Sequence, residues 1–146
     1  IPTDMTTTLS LNDVYKELAN MQTHKTLVFL DACFSGTGRN DQMLSQARGV
    51  SIKPKTEKPQ GNMIVFSSAS GDETAFPYKE KKHGLFTYFL LKKLQATKGN
   101  VNLGELSDYI KSEVGKKSIV INSKTQTPIV STSQEMDDKW RKINLK

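Results

Sequence analysis

The residue with the clearest capacity for chemistry is Cys33, the single cysteine of the chain. It comes shortly after residues 27–30, where large apolar side chains stand in an unbroken row. Such a row predicts a strand buried on both faces, as in a parallel sheet covered by helices. Because catalytic and ligand-binding groups of open α/β sheets lie at the carboxyl ends of strands, Cys33 is a candidate nucleophile. A buried structural cysteine is the alternative, since free cysteines are among the most buried residues.

The second candidate is Asp31, which lies two residues before Cys33. Side chains two residues apart in an extended segment point to the same side, so the carboxylate is predicted beside the thiol. A carboxylate in such a place is costly unless a cation or hydrogen-bond donors compensate it. Two interpretations stay open: Asp31 binds a cationic ligand, or it caps local backbone groups.

The hydrophobic pattern predicts the elements that position these residues. Strands are predicted at residues 26–31, 62–67 and 127–131, with a short extended piece at residues 119–121. Helices are predicted at residues 11–21, at residues 84–95 and from residue 102 or 103 to residue 114. Strands mixed with helices in this way indicate an α/β layer structure. The tail, residues 134–146, is mostly charged and polar, with large apolar side chains that include Trp140, Ile143 and Leu145.

Composition narrows the class of protein. The chain has 146 residues, of which 36% are hydrophobic and 25% charged, as expected for one domain with a core. It has no apolar run of the length that a membrane span needs and no secretory leader pattern, so we expect no membrane partner. A single cysteine allows no internal disulfide, and we favour a cytoplasmic location. No Cys/His cluster has the spacing of a zinc site.

The net charge of +6 comes from 21 basic and 15 acidic residues. A basic balance can suit nucleic acid. The lysines, however, form short clusters in separate elements without interleaved aromatic residues. We therefore expect a solvated basic surface and no nucleic-acid partner.

The segment Asp31-Ala32-Cys33-Phe34-Ser35-Gly36 resembles the nucleophile motif of the caspase-like cysteine peptidases, which include caspases, metacaspases and the clostripain relatives. Other segments resemble further parts of these proteins in the same order. They are residues 1–4, which look like the segment after the histidine strand, residues 9–11, residues 63–70 with Glu73 and Ala75, residues 84–91 and residues 126–128. The resemblance covers most of residues 1–132.

This resemblance implies a three-layer α-β-α sandwich with a mostly parallel sheet, of which this chain supplies the later strands and helices. Residues 1–132 would form the C-terminal part of the peptidase domain, followed by the charged tail at residues 133–146. Within the domain, residues 37–61 correspond to a variable, flexible loop that is often processed in the family. Basic residues in this loop, such as Arg39 and Arg48, suit trypsin-like cleavage.

The resemblance also implies the roles of the site residues. Cys33 would be the nucleophile of an endopeptidase. In the metacaspase and clostripain branches, the aspartate that matches Asp31 lines the primary specificity pocket and binds Arg or Lys of the substrate. We therefore expect cleavage of protein or peptide substrates after a basic residue, with Ser67 and Asp72 as further substrate-binding candidates. The sequence requires no cofactor, and calcium activation is implied by the resemblance alone.

A catalytic histidine is harder to place. His24 lies nine residues before Cys33, which in a strand is on the order of 25 Å away. His83 and Gly84 match the family's His-Gly dipeptide, but they follow the cysteine, whereas the family's histidine precedes it. We therefore expect this chain to be the C-terminal piece of a larger enzyme, with Ile1 arising by processing or truncation. Its partner would be an N-terminal fragment of the same protein that carries the histidine.

A non-catalytic caspase-like scaffold or regulatory module is the alternative. Neither histidine of the chain pairs well with Cys33 in the expected topology, which is what an inactive homologue would also show. Reactivity of the Cys33 thiol distinguishes the two, because a nucleophilic thiolate is alkylated readily and an inert buried thiol is not.

Overall fold

The computed structural model describes residues 10–21, 23–32, 58–71 and 73–146. The helices of this part are α1 (Leu11–Ala19), α2 (Leu85–Thr97) and α3 (Leu103–Asn122). The strands are β1 (Thr26–Leu30), β2 (Met63–Ser67), β3 (Pro77–Tyr78), β4 (His83–Gly84) and β5 (Ile129–Thr132). Short 3-10 turns occupy Lys79–Lys81, Gln134–Met136 and Trp140–Lys142. The three predicted helices and the three main predicted strands are confirmed, with shifts at their ends.

Two of the helices begin where a side chain caps the first turn. The Ser10 hydroxyl accepts a hydrogen bond from the Asp13 N–H at the start of α1, and the Asn102 side chain accepts one from the Glu105 N–H at the start of α3. Each bond satisfies a backbone donor that has no partner inside the helix. The side chains of Ser10 and Asn102 therefore fix where α1 and α3 begin.

The main described sheet has the strand order β1-β2-β5. β1 and β2 run parallel, with Thr26 opposite Met63 and Leu30 opposite Ser67. β5 runs antiparallel to β2, so the described sheet is mixed. Because β1 and β2 are parallel, their carboxyl ends lie at the same edge of the sheet, and this edge includes Asp31.

Helices cover both faces of this sheet. On one face, α1 packs through Tyr15 against a small cluster that includes Met63 and Val65. On the other face, α2 and α3 build the larger core around Ile64 and Phe66. Alternate residues of β2 therefore serve opposite layers, which is the three-layer arrangement of an α/β sandwich.

β1 differs from its expected burial. We expected residues 26–31 to be buried on both faces in the way that β2 is, and this is wrong for the described chain. All five residues of β1 are only half-buried, whereas four of the five residues of β2 are buried. The physical reason is position: β2 lies between two strands, while β1 pairs on one side only among the described residues.

The expected extended piece at residues 119–121 is also wrong, because these residues form the last turns of α3. Three successive β-branched residues favour a strand by propensity, but the helix continues to Asn122. Ser123 ends it in the left-handed conformation, with φ 53°, and its N–H bonds to the Ile119 carbonyl.

None of the described helices combines the length and the apolar character that a membrane crossing needs.

The charged tail packs onto the domain. Trp140, Ile143 and Leu145 lie against the larger core. Backbone bonds join the tail to the start of α3, from the Leu103 N–H to the Ile143 carbonyl and from the Leu145 N–H to the Val101 carbonyl. The contact is close, because a Cβ on Gly104 would come within 2.8 Å of the Arg141 carbonyl oxygen. Met136 is the tail residue that is buried in the larger core, and the three partly buried side chains pack against that core.

Candidate active site

The predicted site lies partly inside the described residues. Asp31 and Ser67 are described, whereas Cys33 and Asp72 lie outside the described residues, as do residues 1–4 and most of the expected processed loop. The described part of the site consists of the residues that surround the end of β1. Ser67 is half-buried and stands opposite Leu30 in the β1–β2 register, so it lies at the same edge of the sheet as Asp31.

The Asp31 carboxylate is held by the first turn of α2. The Thr87 hydroxyl donates a hydrogen bond of 2.6 Å to Asp31 Oδ2. Gly84, the N-cap of α2, lies directly against the same carboxylate, since a Cβ on Gly84 would overlap it and come within 2.8 Å of Asp31 Cγ. The backbone φ of Gly84 is −67°, which any residue adopts. Glycine is therefore needed here for space and not for backbone conformation.

Ser68 connects the two strand ends. Its N–H bonds to the Leu30 carbonyl at 2.8 Å, and its hydroxyl donates to the Ala32 carbonyl at 3.3 Å. Ser68 is fully buried. Since Ala32 directly precedes Cys33 in sequence, Ser68 ties the segment leading to the candidate nucleophile to the end of β2. We did not predict this role, because a serine after a strand gives no signal of its partner.

The loop between β2 and β3 is anchored by two further polar side chains. Gln126, fully buried, accepts from the Phe76 N–H and donates to the Ser68 carbonyl, both at 2.8 Å. The Glu73 carboxylate accepts from the Thr127 N–H at 2.6 Å and from the Thr127 hydroxyl at 3.0 Å. These bonds join the loop to the segment before β5, so the predicted pocket wall beyond Ser67 is fixed at both ends.

Asp31 borders an open depression of about 480 Å³, a volume within the usual range of ligand sites. Its lining is made by the turn that carries β3 and β4 and by the start of α2; the residues are Asp31, Pro77, Tyr78, Lys79, Lys82, His83, Gly84 and Thr87. Two lysines and one aspartate give the lining a net charge of +1 with His83 neutral. Of the expected substrate-binding residues, Asp31 borders this depression, and we did not predict the lysines at its rim.

The two histidines lie in different places. His24 precedes β1 and is exposed, so β1 separates it from Asp31. His83 is also exposed, pairs with Tyr78 across β3 and β4, and borders the Asp31 depression. The Gly84 that follows His83 has a structural explanation in its contact with the Asp31 carboxylate. The His-Gly dipeptide therefore needs no catalytic role to account for its glycine.

The described part of the chain contains no candidate calcium site. No three His, Cys, Asp or Glu side chains come together there in a way that could hold a metal ion. The nearest acidic group to the depression, Asp31, is already engaged by Thr87.

Comparison with known proteins gives one match. No curated protein and no solved structure is similar to the chain at a significant level. The family model described as the caspase domain matches residues 1–138. The match extends into the tail that packs beside α3, and it supports caspase-like peptidase chemistry at the level of the superfamily. Since the match spans nearly the whole sequence, the chain belongs to the caspase domain family and has its α/β fold.

Proposed function

We propose that this chain is the cysteine-bearing part of an endopeptidase that cleaves after arginine or lysine. The observation that carries the proposal is the Asp31 carboxylate, held by Thr87 at the carboxyl end of β1 and at the edge of a depression of about 480 Å³. It lies two residues before Cys33. A carboxylate held in this way is suited to bind a guanidinium or ammonium group.

The chemistry would be acyl transfer through Cys33. The thiol gives its proton to a histidine, and the thiolate attacks the carbonyl carbon of the scissile bond. The new C–S bond gives a tetrahedral oxyanion, which collapses as the C–N bond breaks and the imidazolium returns the proton to the departing amine. Water then cleaves the thioester and restores the thiol. Backbone N–H groups near Cys33 would stabilise the oxyanion.

We further propose that the histidine comes from a separate polypeptide that pairs with β1. Two observations support this partner. The residues of β1 are half-buried although four of the five are large and apolar, and no described strand lies on the side of β1 away from β2. An exposed apolar strand edge is a template for pairing with another chain. An added strand that runs parallel to β1 would place its carboxyl end beside Asp31.

Selective alkylation tests the nucleophile. The natively purified protein is treated with iodoacetamide and with a peptidyl-arginine chloromethyl ketone, and the modified residue is identified by mass spectrometry. We expect Cys33 to react with both reagents, and Cys33→Ala to reduce peptide turnover by several orders of magnitude while the fold is kept. An inert Cys33, or near-native turnover by Cys33→Ala, would favour a non-catalytic scaffold instead.

Substrate preference tests Asp31. Asp31→Asn should lose about 10- to 100-fold in kcat/KM for arginine substrates, since a hydrogen bond to a charged group contributes about 1.5–3 kcal/mol. Iodoacetamide labelling of Cys33 should persist in this variant. A wild-type preference for aspartate or for an apolar residue in a fluorogenic peptide panel would contradict the proposal. Intact mass and N-terminal sequencing of the native protein would show whether a second polypeptide is present.

A further inference from the structure

We propose that the first turn of α2 is a positioning device for specificity: Thr87 and Gly84 hold the Asp31 carboxylate in the one place where it can receive a cationic side chain. The identity of the ligand rests on the proposed function above. The positioning itself rests on two contacts of the described residues, which come from different features of α2 and converge on one carboxylate.

The first contact is the hydrogen bond from the Thr87 hydroxyl to Asp31 Oδ2, at 2.6 Å. Thr87 is the third residue of α2. A β-branched side chain in a helix has few rotamers, so the hydroxyl is held in place before any ligand arrives. The bond fixes one carboxylate oxygen of Asp31 against the helix.

The second contact is steric. Asp31 Oδ2 occupies the space that a side chain of residue 84 would fill, and Asp31 Cγ lies 2.8 Å from the position of such a Cβ. Gly84 is buried, so the space beside it cannot hold both the Asp31 carboxylate and a side chain at residue 84. The missing side chain at Gly84 and the donor at Thr87 therefore select the same rotamer of Asp31.

The local charge pattern agrees with this arrangement. α2 has no acidic residue in its first turn, and its N-cap is a glycine that offers no side-chain acceptor. A negative charge near a helix N-terminus is stabilising. Asp31 supplies this charge from β1, so the carboxylate is ordered by α2 although it belongs to another element.

Such ordering matters for recognition. Binding a guanidinium with a mobile carboxylate requires the loss of side-chain freedom on binding, whereas a fixed carboxylate has already lost it. A change that releases the carboxylate should therefore weaken the preference for a cationic ligand, even though Asp31 itself is present. This effect distinguishes a positioning role from a simple contribution to folding.

Binding experiments on the natively purified protein test the inference. Nα-acetyl-arginine amide is titrated and followed by NMR, with the neutral isostere Nα-acetyl-citrulline amide as reference. We expect Thr87→Val to reduce the arginine preference by about two- to tenfold, because the released carboxylate must lose its side-chain freedom on binding. Thr87→Ser keeps the hydroxyl and should retain the preference. Gly84→Ala should reduce the arginine preference by about as much as Thr87→Val does.

Gly115→Ala is the matched control for Gly84→Ala. Gly115 lies within α3, and an added Cβ there would meet nothing within 4 Å. This substitution should leave the arginine preference unchanged and stabilise the helix by its higher propensity. Any loss of preference seen in Gly84→Ala but not in Gly115→Ala is then due to its position beside Asp31.

A stability cycle gives a readout that needs no ligand. Gly84→Ala should lower the urea midpoint in the wild-type background and should cost little in the Asp31→Ala background, where the overlapping carboxylate is gone. An equal cost in both backgrounds overturns the inference, as does an unchanged arginine preference in Thr87→Val and Gly84→Ala. The absence of any arginine preference in the wild type, with Cys33 still reactive, also overturns it. An inert Cys33 with the arginine preference intact overturns the peptidase proposal alone.

Discussion

β1 and β2 are neighbouring parallel strands of equal length, yet only β2 is mostly buried. Their sequences, Thr-Leu-Val-Phe-Leu and Met-Ile-Val-Phe-Ser, have nearly the same apolar content. β2 lies between β1 and β5, and its first four residues are buried. β1 has β2 on one side, and each of its residues keeps part of its surface exposed. Burial is therefore decided by the number of neighbours and not by side-chain type.

The segments that follow β1 and β2 are also held by different numbers of side-chain hydrogen bonds. The segment after β2 is fixed by Ser68, and the loop beyond it by Gln126 and Glu73, which bind several backbone groups. The segment after β1 is held at Asp31 by Thr87 and at Ala32 by Ser68. The candidate chemistry belongs to β1, the strand with the less complete surroundings. We infer that β2 provides the rigid support and that β1 presents the reactive end.

Hydrogen exchange gives the largest expected contrast. The Thr26 N–H donates to the Asn62 carbonyl at 2.8 Å. Because the N–H groups of a strand alternate between its two sides, those of Val28 and Leu30 also point to β2, while those of Leu27 and Phe29 point away. In this chain alone, Leu27 and Phe29 should exchange almost unprotected, whereas the β2 amides approach the protection set by global unfolding. Addition of the proposed partner should protect the Leu27 and Phe29 amides. Protection of both amides in the absence of the partner would contradict the inference that this edge of β1 is open.

Two paired phenylalanines sharpen the comparison. Phe29 and Phe66 are register partners in β1 and β2, and their ring centroids are 5.0 Å apart. Phe66 is 2% exposed, so Phe66→Ala should reduce the free energy of unfolding by about 3–5 kcal/mol. Phe29→Ala should cost clearly less in this chain, since Phe29 is only half-buried. Urea unfolding measures both values, and equal costs would show that β1 is already a complete core strand.

Removing Gln126 tests the rigid support of β2. The Gln126 side chain satisfies the Phe76 N–H and the Ser68 carbonyl and is fully buried. Gln126→Ala leaves both groups without this partner, which should cost about 1–3 kcal/mol for a lost buried hydrogen bond. Exposed Gln134, in the 3-10 turn after β5, offers the control Gln134→Ala, which should change little. A similar small effect for both variants would mean that the loop is held by other contacts.

The sequence predicted local periodicity well and long-range partners poorly. The apolar spacing of α1 and α2 and the runs of β1 and β2 are local properties, so these elements could be placed. The caspase domain was recognised from the Asp31–Gly36 motif, because the order of short segments is itself a sequence property. The half-burial of β1 depends on what lies beside it in space. No local pattern carries that information.

The same distinction explains the site. Asp31 was a candidate because it stands beside Cys33 in the sequence. Gly84 and Thr87, which lie more than fifty residues further along, became visible only when α2 was placed against the end of β1. In the sequence Gly84 is half of a His-Gly dipeptide, whereas in the structure the Asp31 carboxylate explains why residue 84 is a glycine. Glycines that serve a distant side chain give no signal different from glycines in turns.

The rim of the Asp31 depression should give the smallest effect. Lys82 lies on the lining and adopts the left-handed conformation with φ 56°. Asparagine tolerates this conformation, so Lys82→Asn removes the charge without backbone strain. Affinity for Nα-acetyl-arginine amide should rise by up to about fivefold at low salt, which corresponds to the ~0.2–1 kcal/mol of an exposed charge pair, and the gain should shrink as salt is added. Lys98→Asn is the matched control, because Lys98 has φ 53° and caps the opposite end of α2. An equal gain in both variants would mean that net charge, and not the rim at the end of β1, sets the affinity.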